Sequence, residues 1–216
     1  MPQSNDNVIF LSGIGTDIGK SYATAWYALH LMKEGRNVIT QKFIQTGCTD
    51  ESIDIKLHRK LMKMPLQPVD KLHVTSPIIL SYPASPHLAA IIDKTEIDLS
   101  KAVEATEALL SRYDTVIIEG AGGLMVPVSE DYLTIDYVTE HKLPLAFVTH
   151  GGLGSISDTL LALEAIRNRN IRLKCLIYNP YFDNDPIIAG DAREYMRRKL
   201  ESMFPDADFL VMDPKF

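Results

Sequence analysis

Gly13-Ile14-Gly15-Thr16-Asp17-Ile18-Gly19-Lys20-Ser21 is the stretch that decides the fold class. A short apolar run, residues 8–11, leads into it. Residues 20–34 follow, with Ala25, Ala28, Leu29 and Met32 at helical spacing and Gly35 placed to close the helix. Glycines between a strand and a helix let successive amide N–H groups curl toward one point, where the helix N-terminus adds partial positive charge. An anionic phosphate is the ligand such a curl suits. Lys20 then reaches the outer phosphates and the Ser21 hydroxyl faces a Mg²⁺ ion. Counted back from Gly19, a strict loop would start at Ile14, so starting at Gly13 makes this one a residue longer.

Working outward, further apolar runs occupy residues 37–40, 115–118, 145–148, 173–178 and 208–211. Runs this short with no alternation read as strands covered on both faces. Helical stripes separate several of them. Ile156, Leu160, Leu163 and Ile166 mark residues 155–169, with Ser155 and Asp158 resembling a capping box, and residues 191–204 are another candidate. The alternation predicts an α/β fold of the P-loop NTPase type, a mostly parallel sheet with helices on both faces, in a single domain over residues 1–216. Residues 67–85, with Pro68, Pro77 and Pro83, read as irregular structure.

Composition narrows the function classes. The 216 residues are 46% hydrophobic and 23% charged, with net charge -6. That acidity argues against nucleic-acid partners and anionic membrane surfaces. No run approaches the ~18 apolar residues of a membrane span, and the polar start carries no secretion signal. Cys48 and Cys175 form neither a disulfide framework nor a zinc set. A cytoplasmic location is expected.

In open α/β sheets ligands bind beyond the carboxyl ends of the strands. Lys42 ends the second run. Glu119 ends the third, followed by Gly120, Ala121, Gly122 and Gly123. His150, Gly151 and Gly152 end the fourth, and Asn179 before Pro180 ends the fifth. Glu119 stands where a carboxylate reaches Mg²⁺ directly or through water. Asp54 reads either as a metal ligand or as a helix-start acid, and Lys42 alone reads as a solvated strand-end lysine. Asn179 can pair with an adenine edge, or simply form a turn with Pro180. His87 reads as structural.

These motifs resemble the dethiobiotin synthetases. The resemblance rests on the loop of residues 13–21, Lys42-Phe43-Ile44-Gln45-Thr46-Gly47, Ser85-Pro86-His87, Glu119-Gly120-Ala121-Gly122-Gly123-Leu124-Met125-Val126-Pro127, Gly152-Leu153-Gly154-Ser155-Ile156 and Asn179. It covers residues 8–180, and the Glu-Gly-Ala-Gly-Gly stretch is its most specific part. Gly15 stands where the family often has Asp, Phe43 replaces a Pro, and Ser21 replaces Thr while keeping the hydroxyl.

The resemblance implies an ATP- and Mg²⁺-dependent enzyme that closes the ring of 7,8-diaminopelargonic acid with CO₂. A carbamate forms on one amine, its oxygen attacks the γ-phosphate, and the second amine displaces phosphate from the anhydride, giving dethiobiotin, ADP and phosphate. It implies Lys42 and Lys20 as catalytic residues. It places ATP against Asp17, Ile18, Gly19, Lys20, Ser21, Tyr22, Asp54, Glu119, Gly120, Ala121, Gly122, Asn179 and Pro180. Mg²⁺ falls to Ser21, Asp54 and Glu119. Thr46, Gly123, Gly152, Leu153, Gly154 and Ser155 go to the substrate, the helix opening at Ser155 coming from the neighbouring subunit of a homodimer. Residues 212–214 are candidates for the adenine side. The alternatives are a related amidoligase-type enzyme and a nucleotide-driven switch. Partitioning switches usually carry a lysine where this chain has Gly15.

Overall fold

A computed structural model describes residues 7–216. Along the chain the elements are β1 (Val8–Gly13), α1 (Lys20–Lys33), β2 (Val38–Lys42), β3 (Gln45–Thr46), α2 (Ile53–Leu61), α3 (Pro68–Lys71), β4 (Ile79–Leu80), α4 (Pro86–Asp93), α5 (Ser100–Leu110), β5 (Thr115–Glu119), β6 (Pro127–Ser129), β7 (Tyr132–Leu133), α6 (Thr134–Glu140), β8 (Leu145–His150), α7 (Ser155–Asn168), β9 (Leu173–Asn179), a 3-10 turn (Pro180–Phe182), α8 (Pro186–Met203) and β10 (Asp208–Val211). All six expected runs are strands of one sheet ordered β10-β9-β8-β1-β5-β2, with every pairing parallel.

Alternating side chains on these strands feed two apolar layers, one on each face. Phe10, Val116, Ile118, Leu145, Phe147 and Leu176 pack with side chains of α5, α6, α7 and α8. Ile9, Leu11, Ile117, Ala146, Val148 and Ile177 pack under α1 through Ala28 and Leu31. This is the P-loop type of sheet that the runs predict. Among the described residues no helix is long and apolar enough to cross a membrane.

Three local expectations are corrected. Residues 67–85 are not irregular throughout, because Pro68 opens the short helix α3 and Ile79–Leu80 pairs in parallel with Gln45–Thr46. Helix α8 begins at Pro186 rather than at 191, since Asp185 accepts from Ile187 N and Ile188 N and so caps an earlier start. Ser155 does not form a capping box. Gly154 takes the cap position at φ 90, a conformation glycine adopts without strain, and Ser155 is already the first helical residue.

Under β2 lies a buried polar cluster that the apolar pattern hides. Arg59 donates through Nε and Nη2 to Asp70 at 2.9 and 2.8 Å, and through Nη1 and Nη2 to Thr40 Oγ1 and the Thr40 carbonyl at 2.7 and 3.2 Å. Thr75 Oγ1 donates to Asp70 at 2.7 Å. Burial pushes the Asp70 carboxyl up, but Arg59 outweighs it and holds the carboxyl below its usual range. These bonds tie α2 to β2 and to α3, and α3 to Thr75 beyond it. Replacing Asp70 by Asn leaves a buried guanidinium without its charge partner, so Asp70→Asn should lose ~3–5 kcal/mol of stability in urea unfolding. A loss under about 1 kcal/mol, the scale of an exposed pair, would refute that role for the pair.

Candidate active site

The loop after β1 folds so that Gly19 sits at φ 84, and an added Cβ would stand 2.4 Å from Asn179 Nδ2. Only glycine meets both conditions. Asn179 Nδ2 in turn donates to the Ile18 carbonyl at 3.0 Å, so the end of β9 braces the loop. Lys20 opens α1 and its Nζ donates to the Gly15 carbonyl. Burial pushes the Lys20 ammonium down to about 8, partly opposed by the pull of Glu119.

Parallel pairing sets Lys42 beside Glu119 at the carboxyl ends of β2 and β5. Lys42 Nζ lies 2.6 Å from Asp54 Oδ2, 2.8 Å from Glu119 Oε1 and 3.1 Å from the Gly120 carbonyl. Asp54 arrives from the first turn of α2, whose start is set by Ser52. Ser52 Oγ accepts from Ile55 N at 3.1 Å and donates to Gln45 Oε1 at 2.6 Å. Asp54 is thus a helix-start acid, and it also lines a cavity with Ser21 and Glu119.

Glu119 is 1% exposed. Its Oε1 faces Ser21 Oγ at 3.0 Å and Lys42; its Oε2 faces Thr24 Oγ1 at 2.9 Å and His58 Nε2 at 2.6 Å. Burial raises the Glu119 carboxyl, but Lys42 and His58 more than offset it and hold the group well below the usual carboxylate range. Burial likewise lowers Lys42, while Glu119 and Asp54 outweigh it and raise the ammonium above its ordinary value.

Ser21 Oγ stands 3.0 Å from both Asp54 Oδ1 and Glu119 Oε1. These oxygens fit Mg²⁺, a hard cation. Among the described residues no group of three or more His, Cys, Asp or Glu suits a metal.

Two cavities meet at the loop. One of about 530 Å³ is walled by Lys20, Ser21, Lys42, Thr46, Asp54 and Glu119, with Ala121 and Gly122 beside them. The other, about 400 Å³, is walled by Asn179, Tyr181, Phe182, Met212, Pro214 and Phe216. Asp17, Gly19 and Tyr22 line both. A charged chamber beside an aromatic one suits a phosphate chain with a planar base.

A protein-family model described as an AAA domain matches residues 7–205. The chain is 44% identical to the ATP-dependent dethiobiotin synthetase BioD 2 of Pasteurella multocida, over 95% of this chain and 97% of that one. It is 46% identical to the protein of the same description from Haemophilus ducreyi, over 95% and 98%. The chain belongs to the dethiobiotin synthetase family. A ParA family ATPase from Chlorobium tepidum aligns in three dimensions with TM-score 0.52 at 19% identity, covering 97% of this chain and 86% of that one, and shares the fold.

The departures from the family pattern have local accounts. Phe43 is buried and packs on Phe10 and Tyr137, with ring centroids 5.5 and 4.5 Å apart, so apolar contact takes the place of a proline. A Cβ on Gly15 would meet nothing within 4 Å, so no steric demand imposes glycine there.

Within one chain the structure gathers Asp17, Gly19, Lys20, Ser21, Tyr22, Lys42, Thr46, Asp54, Glu119, Ala121, Gly122 and Asn179 around the two cavities. Ile18, Gly120, Gly123 and Pro180 adjoin these residues in the chain but line neither cavity. Gly152, Leu153, Gly154 and Ser155 also line neither, and Leu153 is 85% exposed. Sequence reasoning missed Thr24 and His58, although Asp54 and His58 lie four apart on one helix, and that spacing was a usable signal.

The low Glu119 pKa has a consequence for metal-free protein. A carboxyl held below its unfolded value of ~4.3 adds stability that is fully present above that value and is lost as pH falls through the folded-state value. Glu119→Gln cannot titrate there. The stability gap between native protein and Glu119→Gln should therefore be steady near neutral pH and narrow below about pH 4 in urea unfolding. A gap that stays constant on acidification would show that Glu119 is not held ionised.

Proposed function

We propose that this chain is an ATP-dependent ligase of biotin synthesis. In its reaction CO₂ and 7,8-diaminopelargonic acid become dethiobiotin while ATP becomes ADP and phosphate. The observation that carries this reading is the meeting of Lys20, Ser21, Lys42, Asp54, Glu119 and Thr46 in the wall of one cavity.

In this reading the loop amides and Lys20 take the phosphate chain, and Asn179 with the surrounding aromatic rings takes the base. Asn179 Oδ1 already accepts from Tyr181 N at 3.1 Å and its Nδ2 serves Ile18, which leaves one hydrogen and one lone pair for an adenine edge. Ser21, Asp54 and Glu119 would hold Mg²⁺, which supplies charge compensation at the phosphates.

Lys42 orients the carbamate. All three of its N–H donors are taken in the ligand-free chain, two by carboxylates and one by the neutral Gly120 carbonyl. An anionic carbamate is a stronger acceptor than that carbonyl and exchanges for it most easily. The carbamate oxygen then attacks the γ-phosphorus and ADP leaves. The second amine attacks the carbonyl carbon, phosphate leaves, and the ureido ring closes with loss of the amine proton. Thr46 and the amides near Gly123 face the substrate.

The α7 start at Gly152, Leu153, Gly154 and Ser155 offers backbone amides for the substrate carboxylate. Its place outside both cavities fits a role in the site of a second copy, and so a homodimer.

The first test is phosphate release from ATP with Mg²⁺ and bicarbonate, with and without 7,8-diaminopelargonic acid, with mass spectrometry of the product. Diamine-dependent release with dethiobiotin formed is the expected result. Hydrolysis indifferent to the diamine, with no ureido product, would move the function to a nucleotide-driven switch.

Two variants separate the lysines. Lys20→Ala should remove most turnover, by about 10²-fold or more if it acts as a charge-stabilising donor of the usual strength. Native-rate turnover by the folded variant would overturn the phosphate-loop assignment. Lys42→Ala should keep ADP binding in calorimetry but lose ring closure, and an unchanged closure rate would reject its carbamate role.

A further inference from the structure

His58 is the one fully buried histidine among the described residues, at 0% exposure, and both ring nitrogens have partners. Nδ1 lies 3.0 Å from Thr40 Oγ1 and Nε2 lies 2.6 Å from Glu119 Oε2. A carboxylate only accepts, so Nε2 carries the hydrogen and donates it. Arg59 Nη1 only donates, so the Thr40 oxygen that faces His58 Nδ1 accepts from Arg59 at 2.7 Å. Contacts thus run unbroken from Arg59 through Thr40 and His58 to Glu119, from the interior to the cavity wall.

Glu119 needs such a support. Its cavity-side contacts, Ser21 and Lys42, both meet Oε1. Held there alone, the carboxylate can swing about its Cγ–Cδ bond. His58 and Thr24 on Oε2 remove that freedom. Thr24 Oγ1 has a competing acceptor in the Lys20 carbonyl, also at 2.9 Å, so its single hydrogen is divided, whereas the His58 hydrogen is committed. Burying an imidazole where an aliphatic side chain would pack is costly unless the polar ring is used.

We infer that His58 is a positioning residue that fixes which oxygen of Glu119 faces the phosphate cavity. The inference rests on the proposed reading of Ser21, Asp54 and Glu119 as the metal-holding set and names what orients its most buried member. Partners that orient a ligating group are commonly worth 10–100-fold in metal affinity.

The experiment is calorimetric titration of ADP into full-length protein with and without Mg²⁺, read as the ratio of the two affinities, for native protein, His58→Leu, His58→Gln and His58→Asn. Gln places a donor amide where Nε2 stands and reaches Glu119. Asn replaces only the Nδ1 end and reaches Thr40. The Mg²⁺-dependent gain should fall by roughly 10–100-fold in His58→Leu and His58→Asn, with metal-free affinity unchanged, and recover in His58→Gln. If His58→Leu does not fold, the Gln and Asn pair carries the same contrast. A native Mg²⁺-dependent gain that survives in Leu or Asn, even with a lowered melting temperature, means a structural role only and overturns the inference. A native protein that binds ADP indifferently to Mg²⁺ instead overturns the metal reading, and the inference with it.

Discussion

A carboxylate withdrawn from water has to receive its hydrogen-bond and charge partners from the fold, and Glu119 receives them from three separate elements. Helix α1 supplies Ser21 and Thr24, strand β2 supplies Lys42, and helix α2 supplies His58. None of these contacts survives a change of register. Lys42 reaches Glu119 because β2 and β5 pair in parallel with those two residues opposite each other. A slip by one residue would turn Lys42 to the other face of the sheet.

Geometry explains how β2 and α2 serve one carboxylate together. Two residues along a strand span ~6.6 Å, and four along a helix span ~6 Å. Thr40 and Lys42 on the strand therefore stand level with His58 and Asp54 on the helix. Lys42 meets Asp54 near the cavity, Thr40 meets His58 deeper in, and Glu119 touches both rungs. The Arg59–Asp70 cluster lies behind this ladder and keeps the two elements from sliding.

The sequence shows what is built from runs and hides what is built from contacts. The parallel strands are legible because most of them are short, largely apolar runs, and α1 is legible because it follows the glycine loop at once. The pairings of Gln45–Thr46 with Ile79–Leu80, and of Pro127–Ser129 with Tyr132–Leu133, are too short to carry a period. The start of α8 is marked only by Asp185 as cap and Pro186 as first residue, two residues outside the apolar stripe. Lys42 and Glu119 were legible because strand ends on one edge of a parallel sheet must face a common crevice. His58 leaves only a faint trace, its place four residues after Asp54 on one helix, because its partner Glu119 lies 61 residues away.

Buried ion pairs are weak grounds for stability, because desolvation offsets most of their attraction and an apolar replacement often serves as well. Arg59–Asp70 and Lys42–Glu119 are both such pairs, yet they stand differently in the molecule. The first lines neither of the two site cavities and links α2 to α3, which is a structural task. The second opens onto the 530 Å³ cavity, with Lys20, Asp17 and Asp54 beside it, so two cations already stand among three carboxylates there before any ligand arrives. An arriving phosphate chain does not meet a bare positive well. It enters a set in which each charge can exchange one partner for another, and the cost of stripping those charges of water has already been met in folding.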